Sequence, residues 1–167
     1  MLALLCERPA HGWSLANQLA PSGELGSIWS LRRQVVYRSL EILRQCELIE
    51  LAGREPGIRG PSRTLFKANA TGEAKVRRWL QEPVEHVGDA GRSLLLLKLA
   101  FADRFGIDPQ PMLVAERESY TAVLDSLEDR ATASSGNERV LLRFQVESTQ
   151  AVLRFVESLL SERVPSG

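Results

Sequence analysis

The chain has 167 residues, of which 44% are hydrophobic and 25% charged, a composition typical of a folded globular protein and not of a disordered chain. Its 21 Lys and Arg balance its 21 Asp and Glu, but unevenly along the chain. The front half, residues 1–82, is basic and the back half acidic, which suggests an anion-binding half joined to a second module.

The sequence has no evident membrane-spanning or signal segment and no evident redox motif. No apolar stretch approaches the roughly 20 residues that span a bilayer, and the apolar opening residues are followed by charge and not by a signal-peptide cleavage site. We therefore expect a cytoplasmic protein with no membrane partner. Cys6 and Cys46 fall at apolar helical positions, which favours two buried, reduced thiols over a redox-sensing pair.

The first two elements are predicted to be short helices. One covers about Leu2–Glu7 and ends before Pro9, because proline disfavours helical geometry in the residue that precedes it. The next begins near Ser14, a good N-cap residue, and breaks at Pro21.

The third predicted helix has one apolar and one cationic face. It runs from about Ser30, its cap, to Gln45, and its buried stripe is expected to contain Val36, Leu40 and Leu43. The opposite face carries cationic and hydrogen-bonding side chains, with Glu41 among them: Arg32, Arg33, Gln34, Tyr37, Arg38 and Arg44. Such a helix fits the major groove of DNA, where Arg and Gln can read base edges. Our candidates for base contacts are Arg33, Gln34 and Arg38.

A β-hairpin with a long tip rich in glycine and proline is predicted next. Its strands are the alternating runs Leu48–Leu51 and Thr64–Lys67. The cations of this hairpin are Arg54, Arg59, Arg63 and Lys67, which would bind the DNA backbone or minor groove largely irrespective of sequence. Three helices followed by a basic hairpin predict a winged helix-turn-helix.

The rest of the chain is predicted to be helical. A helix begins at Asn69 and reaches about Gln81, and three more cover Arg92–Phe105, Pro109–Ala131 and the residues after the turn at 134–137. Apolar residues gather near one face of the last helix: Leu141, Phe144, Val152, Phe155 and Leu159. One neighbour cannot readily cover such a face in a small module, so we expect it to form a dimer interface.

The predicted fold is therefore mainly α with a small β-hairpin. An N-terminal winged helix-turn-helix DNA-binding domain, residues 1–82, precedes a C-terminal α-helical dimerisation domain, residues 83–167. A closed two-fold pair would place two recognition helices on one side of a duplex and so favour a palindromic operator.

Several motifs in the first 80 residues resemble the PadR family of winged-helix transcriptional regulators. His11–Leu15 is similar to that family's His-Gly-Tyr-x-Leu, and Val36–Leu40 to the core of its recognition helix. Gly60–Arg63 with Phe66 is similar to its wing, and Asn69 with Gly72 stands where the family has Thr-x-x-Gly. The resemblance implies a homodimer joined by its C-terminal helices, and a repressor released by a small-molecule effector or another signal.

Two positions depart from the family pattern. Glu47 stands where the family usually has glycine at the end of the recognition helix, and Trp13 replaces its usual tyrosine. The first departure predicts an altered helix termination. Neither removes a residue that is expected to contact DNA.

Enzyme and metal functions find no support in the spacing of reactive residues. His11 and His86 lie in no ligand-like pattern, so we expect no metal and no cofactor, and His11 is interpreted as fixing the turn before the second helix. The acidic pairs Glu116–Glu118 and Glu128–Asp129 are interpreted as solvated helix surface. No nucleophile lies beside a base at a recognisable spacing, so we expect no catalytic residue.

Alternatives stay open at a few positions. Trp13 and Trp79 are interpreted as core residues, with an effector pocket as the alternative, and Arg77–Arg78 fits phosphate contact as well as solvent exposure. The alternative function is a winged-helix protein–protein interaction module without DNA binding. The concentration of arginine on both the third helix and the wing favours DNA, because a purely protein-binding module would not need both.

Overall fold

The computed structural model describes residues 1–56, 62–84 and 90–162. Its elements in chain order are α1 (Leu2–Glu7), α2 (Gly12–Gln18), α3 (Arg33–Gln45), β1 (Ile49–Glu55), β2 (Arg63–Ala68), α4 (Ala70–Gln81), α5 (Ala90–Phe105), α6 (Gln110–Ala133) and α7 (Gly136–Glu162). A mainly α-helical fold with one β-hairpin is thereby confirmed, in the predicted order of elements.

The described residues fall into two compact units. Unit 1 lies within Met1–Leu80 and Val87–Gly106, and unit 2 within Gln81–His86 and Ile107–Gly167. Helix α5 thus groups with the winged helix, although the sequence division at residue 83 separates them. The predicted division separates a DNA-binding domain from a dimerisation domain, and the way the helices pack does not test that separation of functions.

Helices α2 and α3 begin at residues other than those that the sequence suggested. The N-cap of α2 is His11, whose Nδ1 accepts a hydrogen bond of 3.0 Å from the Ser14 amide, so the predicted cap at Ser14 was wrong. Helix α3 begins at Arg33 and not near Ser30, because the backbone is still extended at Arg32, its N-cap; before it, the Leu31 amide donates to the Leu19 carbonyl at 2.8 Å. His11 therefore fixes the turn before α2, as expected.

The end of α3 is a left-handed turn at Glu47, whose φ is 53°. The Leu48 amide donates to the Leu43 carbonyl at 3.0 Å and the Glu47 amide to Arg44 at 3.0 Å. These two bonds form a Schellman motif, which usually has glycine at the left-handed position. The helix termination itself is therefore the ordinary one, and what differs is that a residue with a Cβ adopts it.

The strands β1 and β2 pair antiparallel from Ile49 opposite Ala68 to Glu55 opposite Arg63. Both strands extend further than the sequence indicated, and a register shift between Leu51 and Gly53 interrupts the ladder. Outside the hairpin, Ala10 exchanges two backbone hydrogen bonds with Phe66, of 2.9 and 3.0 Å. This bridge holds the start of α2 against β2.

Helix α4 is tied to the end of α3 by Asn69, the predicted start of this helix. The Asn69 side-chain oxygen accepts from the Gly72 amide at 2.9 Å, and its side-chain nitrogen donates to the Glu47 carbonyl at 2.8 Å. A Cβ on Gly72 would lie 2.2 Å from the Leu48 carbonyl oxygen. Only glycine fits this approach, which gives the Asn-x-x-Gly pattern a structural reason.

In unit 2, α6 packs against α7 and the core contains Met112, Leu113, Tyr120, Leu142 and Val156. Glu116 is also completely buried, so its interpretation as solvated surface was wrong. Its carboxylate accepts a short hydrogen bond from the Val84 amide, which anchors the segment after α4 to α6. An acidic residue between charged neighbours can therefore face the core when a backbone donor meets it.

Candidate nucleic-acid interface

The predicted recognition helix exposes the face that the sequence assigned to DNA. Val36 is 0% and Leu40 5% exposed, whereas the candidates for DNA contact on the other face are all exposed: Arg33, Gln34, Tyr37 and Arg38. Arg32 is exposed too, but it is the N-cap and precedes the helix. The face also contains Val35, 43% exposed, which sequence reasoning missed and which could contact a thymine methyl group.

The cations of this face differ in how far their charge is already balanced. Arg32, Arg33 and Arg38 make no ion pair with any residue in the described ranges. Arg44 instead donates to both carboxylate oxygens of Glu41, at 3.1 and 2.8 Å. These bonds, with a weaker contribution from Gln45, lower the pKa of the Glu41 carboxyl. Arg44 is therefore locally neutralised, while three arginines remain available to an anion.

Tyr37 lies at the edge of this face and is 49% exposed. A Cβ on Gly12 would lie 2.5 Å from its ring, so glycine at this position lets the start of α2 approach α3. The glycine of the His-Gly motif and the tyrosine of the recognition helix are thus neighbours in space.

The four predicted wing cations lie in different environments. Arg54 is exposed and makes no ion pair with the described residues, whereas Lys67 pairs with Glu50 across the hairpin at 3.0 Å. Arg63 is exposed at the last described pair of the hairpin, opposite Glu55. Arg59 lies outside the described residues.

Arg63 belongs to a group of four side chains, His11, Trp13, Glu55 and Arg63, which we call the stem cluster. The guanidinium carbon lies 5.1 Å from the centre of a Trp13 ring. The Nε2 atom of His11 lies 3.5 Å from Nη1 of Arg63 and 3.4 Å from a carboxylate oxygen of Glu55. Because Nδ1 accepts from the Ser14 amide, a neutral His11 has its proton on Nε2, the atom that lies near the Glu55 carboxylate.

Three residues of the stem cluster, His11, Trp13 and Arg63, line a groove of about 510 Å³ between α3 and β2. Tyr37 and Arg44 contribute from α3, and Arg63 and Phe66 from β2. Sequence reasoning missed this groove, since its walls come from segments that are far apart in the sequence, two of which the Ala10–Phe66 bridge joins.

Helix α7 has an uncovered apolar face. Leu142 and Val156 are buried within unit 2, but the predicted interface residues Leu141, Phe144 and Phe155 are 59%, 65% and 39% exposed. Val152 and Leu159 are half-buried. Val140, 64% exposed, extends the same uncovered surface and was not predicted.

Other expectations need correction. Trp13 is 44% exposed and is not a core residue, whereas Trp79 is half-buried with the buried Lys98 ammonium 5.2 Å from its ring. Cys46 is exposed and Cys6 only half-buried, and neither is in a disulfide. Partial burial raises the pKa of the Cys6 thiol to about 11 and so disfavours the reactive thiolate.

Neither a metal site nor a membrane-spanning helix is found among the described residues. No group of three or more His, Cys, Asp or Glu among them is arranged to hold a metal ion. Nor is any of the described helices both long enough and apolar enough to cross a membrane.

A protein similar to this chain in sequence is described as a transcriptional regulator. A probable transcriptional regulator of Mycobacterium tuberculosis is 26% identical over 89 residues, 50% of this chain and 43% of that protein, so the match spans less than half the relative's length. No protein-family profile matches the chain.

Similar solved structures are more distant in sequence. Bacillus subtilis PadR in complex with operator DNA is 17% identical, with a TM-score of 0.45, over 96% of this chain and 95% of that chain. The same protein in complex with p-coumaric acid is 18% identical, with a TM-score of 0.40, over 96% and 91%. A PadR-like regulator of Bacillus cereus is 15% identical, with a TM-score of 0.39, over 96% and 91%.

Proposed function

We propose that the chain is a PadR-like transcriptional regulator that binds double-stranded DNA as a homodimer. The observation that carries this proposal is the outer face of α3. Arg33, Gln34 and Arg38 are exposed there, and neither arginine has an ion-pair partner among the described residues, while the opposite face is packed into the core of unit 1.

Duplex DNA fits this face better than a small anion or an acidic protein. An α-helix enters the major groove, where arginine can bind guanine and glutamine can bind adenine through two hydrogen bonds each. Unpaired arginines gain most from phosphate, because each contact releases condensed counterions from the DNA. We assign base contacts to Arg33, Gln34 and Arg38, and contacts along the same groove to Arg32 and Tyr37.

The wing supplies contacts that do not depend on sequence. Arg54, Arg59, Arg63 and Lys67 remain its proposed cations, and Arg54 is exposed without an ion pair to the described residues. Lys67 must give up or share its bond with Glu50 to reach a phosphate. Its contribution is therefore smaller than that of Arg54.

The homodimer is proposed to form through the uncovered face of α7, with Leu141, Phe144, Val152, Phe155 and Leu159 at its centre. A two-fold pair buries the same apolar face on both chains. Two recognition helices then contact half-sites about one helical turn apart, or a multiple of it, on a palindromic operator.

Repression and its release by a small molecule are the most specific part of the proposal. They rest on the motif resemblance. The Bacillus subtilis protein is described with operator DNA and with p-coumaric acid, and the mycobacterial relative as a probable transcriptional regulator. We place the chain in the same functional class, with its own operator and effector.

Fluorescence anisotropy with a labelled random duplex, measured over a series of salt concentrations, tests DNA binding. We expect affinity to fall as salt rises, with a slope of about 0.9 per phosphate contact. Arg33→Gln combined with Arg38→Gln should weaken binding and flatten the slope. The matched control is Arg117→Gln combined with Arg130→Gln, which removes the same charge from exposed positions on α6.

Equal losses in both double variants would mean that net charge matters and the face of α3 does not. Absence of salt-sensitive binding by the parent protein would favour the alternative, a winged-helix module that binds another protein.

A further inference from the structure

Trp13 is an indole on the surface of a small domain, 44% exposed where a core position was expected. Its cationic neighbour is Arg63, whose guanidinium carbon lies 5.1 Å from the ring centre. Arginine over an indole face is held by the attraction between its charge and the π electrons. The exposed ring therefore has a specific contact with a proposed DNA-binding residue.

The position of Trp13 is fixed by its backbone. Ala10 is hydrogen-bonded to Phe66 of β2, and His11 caps the helix in which Trp13 is the second residue. The indole is thus anchored to the same strand from which Arg63 projects.

Arg63 also has His11 as a neighbour on a second side. With Nδ1 accepting from the Ser14 amide, the Nε2 atom of a neutral His11 is a donor, so the Arg63 Nη1 atom 3.5 Å away meets another donor and forms no strong bond there. The guanidinium is therefore oriented by the Trp13 ring and keeps its hydrogen-bonding capacity for another acceptor. Its side chain remains exposed and accessible to a phosphate.

We propose that Trp13 is a positioning residue for DNA binding, whose ring holds Arg63 in the orientation that takes a phosphate of the DNA backbone. This inference rests on the proposed function. Ordering a long side chain before binding lowers the entropy lost on binding. Loss of the ring should therefore weaken DNA affinity by about three- to tenfold, although the indole itself makes no contact with DNA.

A double-mutant cycle tests this coupling, with DNA affinity and its salt slope measured for each variant. Trp13→Leu keeps apolar bulk and removes the aromatic face, and Trp13→Phe keeps a face. Arg63→Ala removes the proposed phosphate contact, and Trp13→Leu with Arg63→Ala closes the cycle. Trp29→Leu, at a half-buried tryptophan of unit 1, is the control.

We expect Arg63→Ala to lower the salt slope by about one unit, and Trp13→Leu to weaken binding in the parent background but not in the Arg63→Ala background. Trp13→Phe should recover most of the lost affinity.

Additive losses would overturn the proposal, because they would mean that Trp13 contacts DNA itself or merely supports the fold. An unchanged salt slope in Arg63→Ala would also overturn it. If the parent binds DNA and the cycle is additive, the proposed function stands and this inference fails. If the parent shows no salt-sensitive binding, both fail.

Discussion

Helices α3 and α7 are both amphipathic, and each buries one stripe within its own unit: Val36 and Leu40 on α3, Leu142 and Val156 on α7. Their remaining surfaces differ in kind. The exposed face of α3 is dominated by arginine and other polar groups, whereas α7 exposes large apolar side chains such as Phe144. The same helical periodicity thus presents two chemically different surfaces, one cationic and one apolar.

The chemistry of each exposed face indicates the partner that it fits. Exposed arginines carry no free-energy cost in water, and they gain free energy when they bind phosphate. Exposed phenylalanine and leucine gain about 25 cal/mol for each Å² removed from water. We therefore assign DNA to α3 and a second copy of the chain to α7, and each assignment can be broken separately.

The largest effect should come from α7. Phe144→Asp places a charge at the centre of the apolar face and should convert the dimer to a folded monomer. Affinity for a full operator should fall by about 100-fold or more, because the second half-site contact is no longer intramolecular. Sedimentation and DNA titration of the same sample measure both quantities.

Arg143→Asp is the control on the polar side of the same helix, with a larger change in charge. It should leave the dimer intact. A Phe144→Asp monomer that binds the full operator as tightly as the parent would break the assignment of α7.

The next effect should come from the unpaired cations of α3. Arg38→Ala should weaken operator binding by about 1–3 kcal/mol if Arg38 makes a bidentate base contact, and random DNA by much less. Arg44→Ala is the matched control, because Glu41 already holds that guanidinium. Titration of each folded variant against operator and random duplex measures both. Equal losses on the two duplexes would mean that Arg38 contacts phosphate and reads no base.

A smaller effect should come from the wing. Arg54→Ala should lower affinity for operator and random DNA alike and reduce the salt slope by about 0.9. Lys67→Ala should have less effect, because Lys67 is paired with Glu50 at 3.0 Å. Salt titrations of the two variants side by side give the comparison. Loss of discrimination between operator and random DNA, with the slope intact, would show that the wing reads bases.

The smallest change concerns how α3 is terminated. Glu47→Gly should raise the free energy of unfolding by about 1 kcal/mol, because a Cβ is strained at a φ of 53°. Denaturant unfolding measures the gain, and DNA affinity should stay unchanged. Glu47→Ala keeps the strain and removes the carboxylate. If it stabilises as much as glycine does, the gain comes from charge and not from the backbone.

Periodicity predicted the elements well because it reports burial directly. Val36 and Leu40 of the predicted stripe, the Asn69 cap and the order of helices and strands were all available in the sequence, whereas Leu43, the third predicted residue of the stripe, is only half-buried. The apolar face of α7 was also available in the sequence. Its residues are too many for one neighbour to cover, and they lie at other positions than Leu142 and Val156, which are buried within unit 2.

What the sequence could not supply depends on contacts between distant segments. Helix α3 starts after an extended Arg32, in a segment where Leu31 is bonded to Leu19, and Glu116 is buried because a backbone amide 32 residues earlier meets it. Trp13 lies near Arg63 because Ala10, three residues before it, bridges to Phe66 of β2. No local pattern encodes these pairings, so the stem cluster emerged only from the structure.

The most direct test of the account is a hydroxyl-radical footprint of the parent protein on an operator selected from genomic fragments. Two recognition helices carried by a dimer should protect two patches related by two-fold symmetry, with centres about 10 base pairs, or a multiple of one turn, apart. Phe144→Asp should abolish the paired protection at the same protein concentration. A single asymmetric patch, or no protection at a concentration that saturates the anisotropy signal, would contradict a dimer that reads DNA through α3.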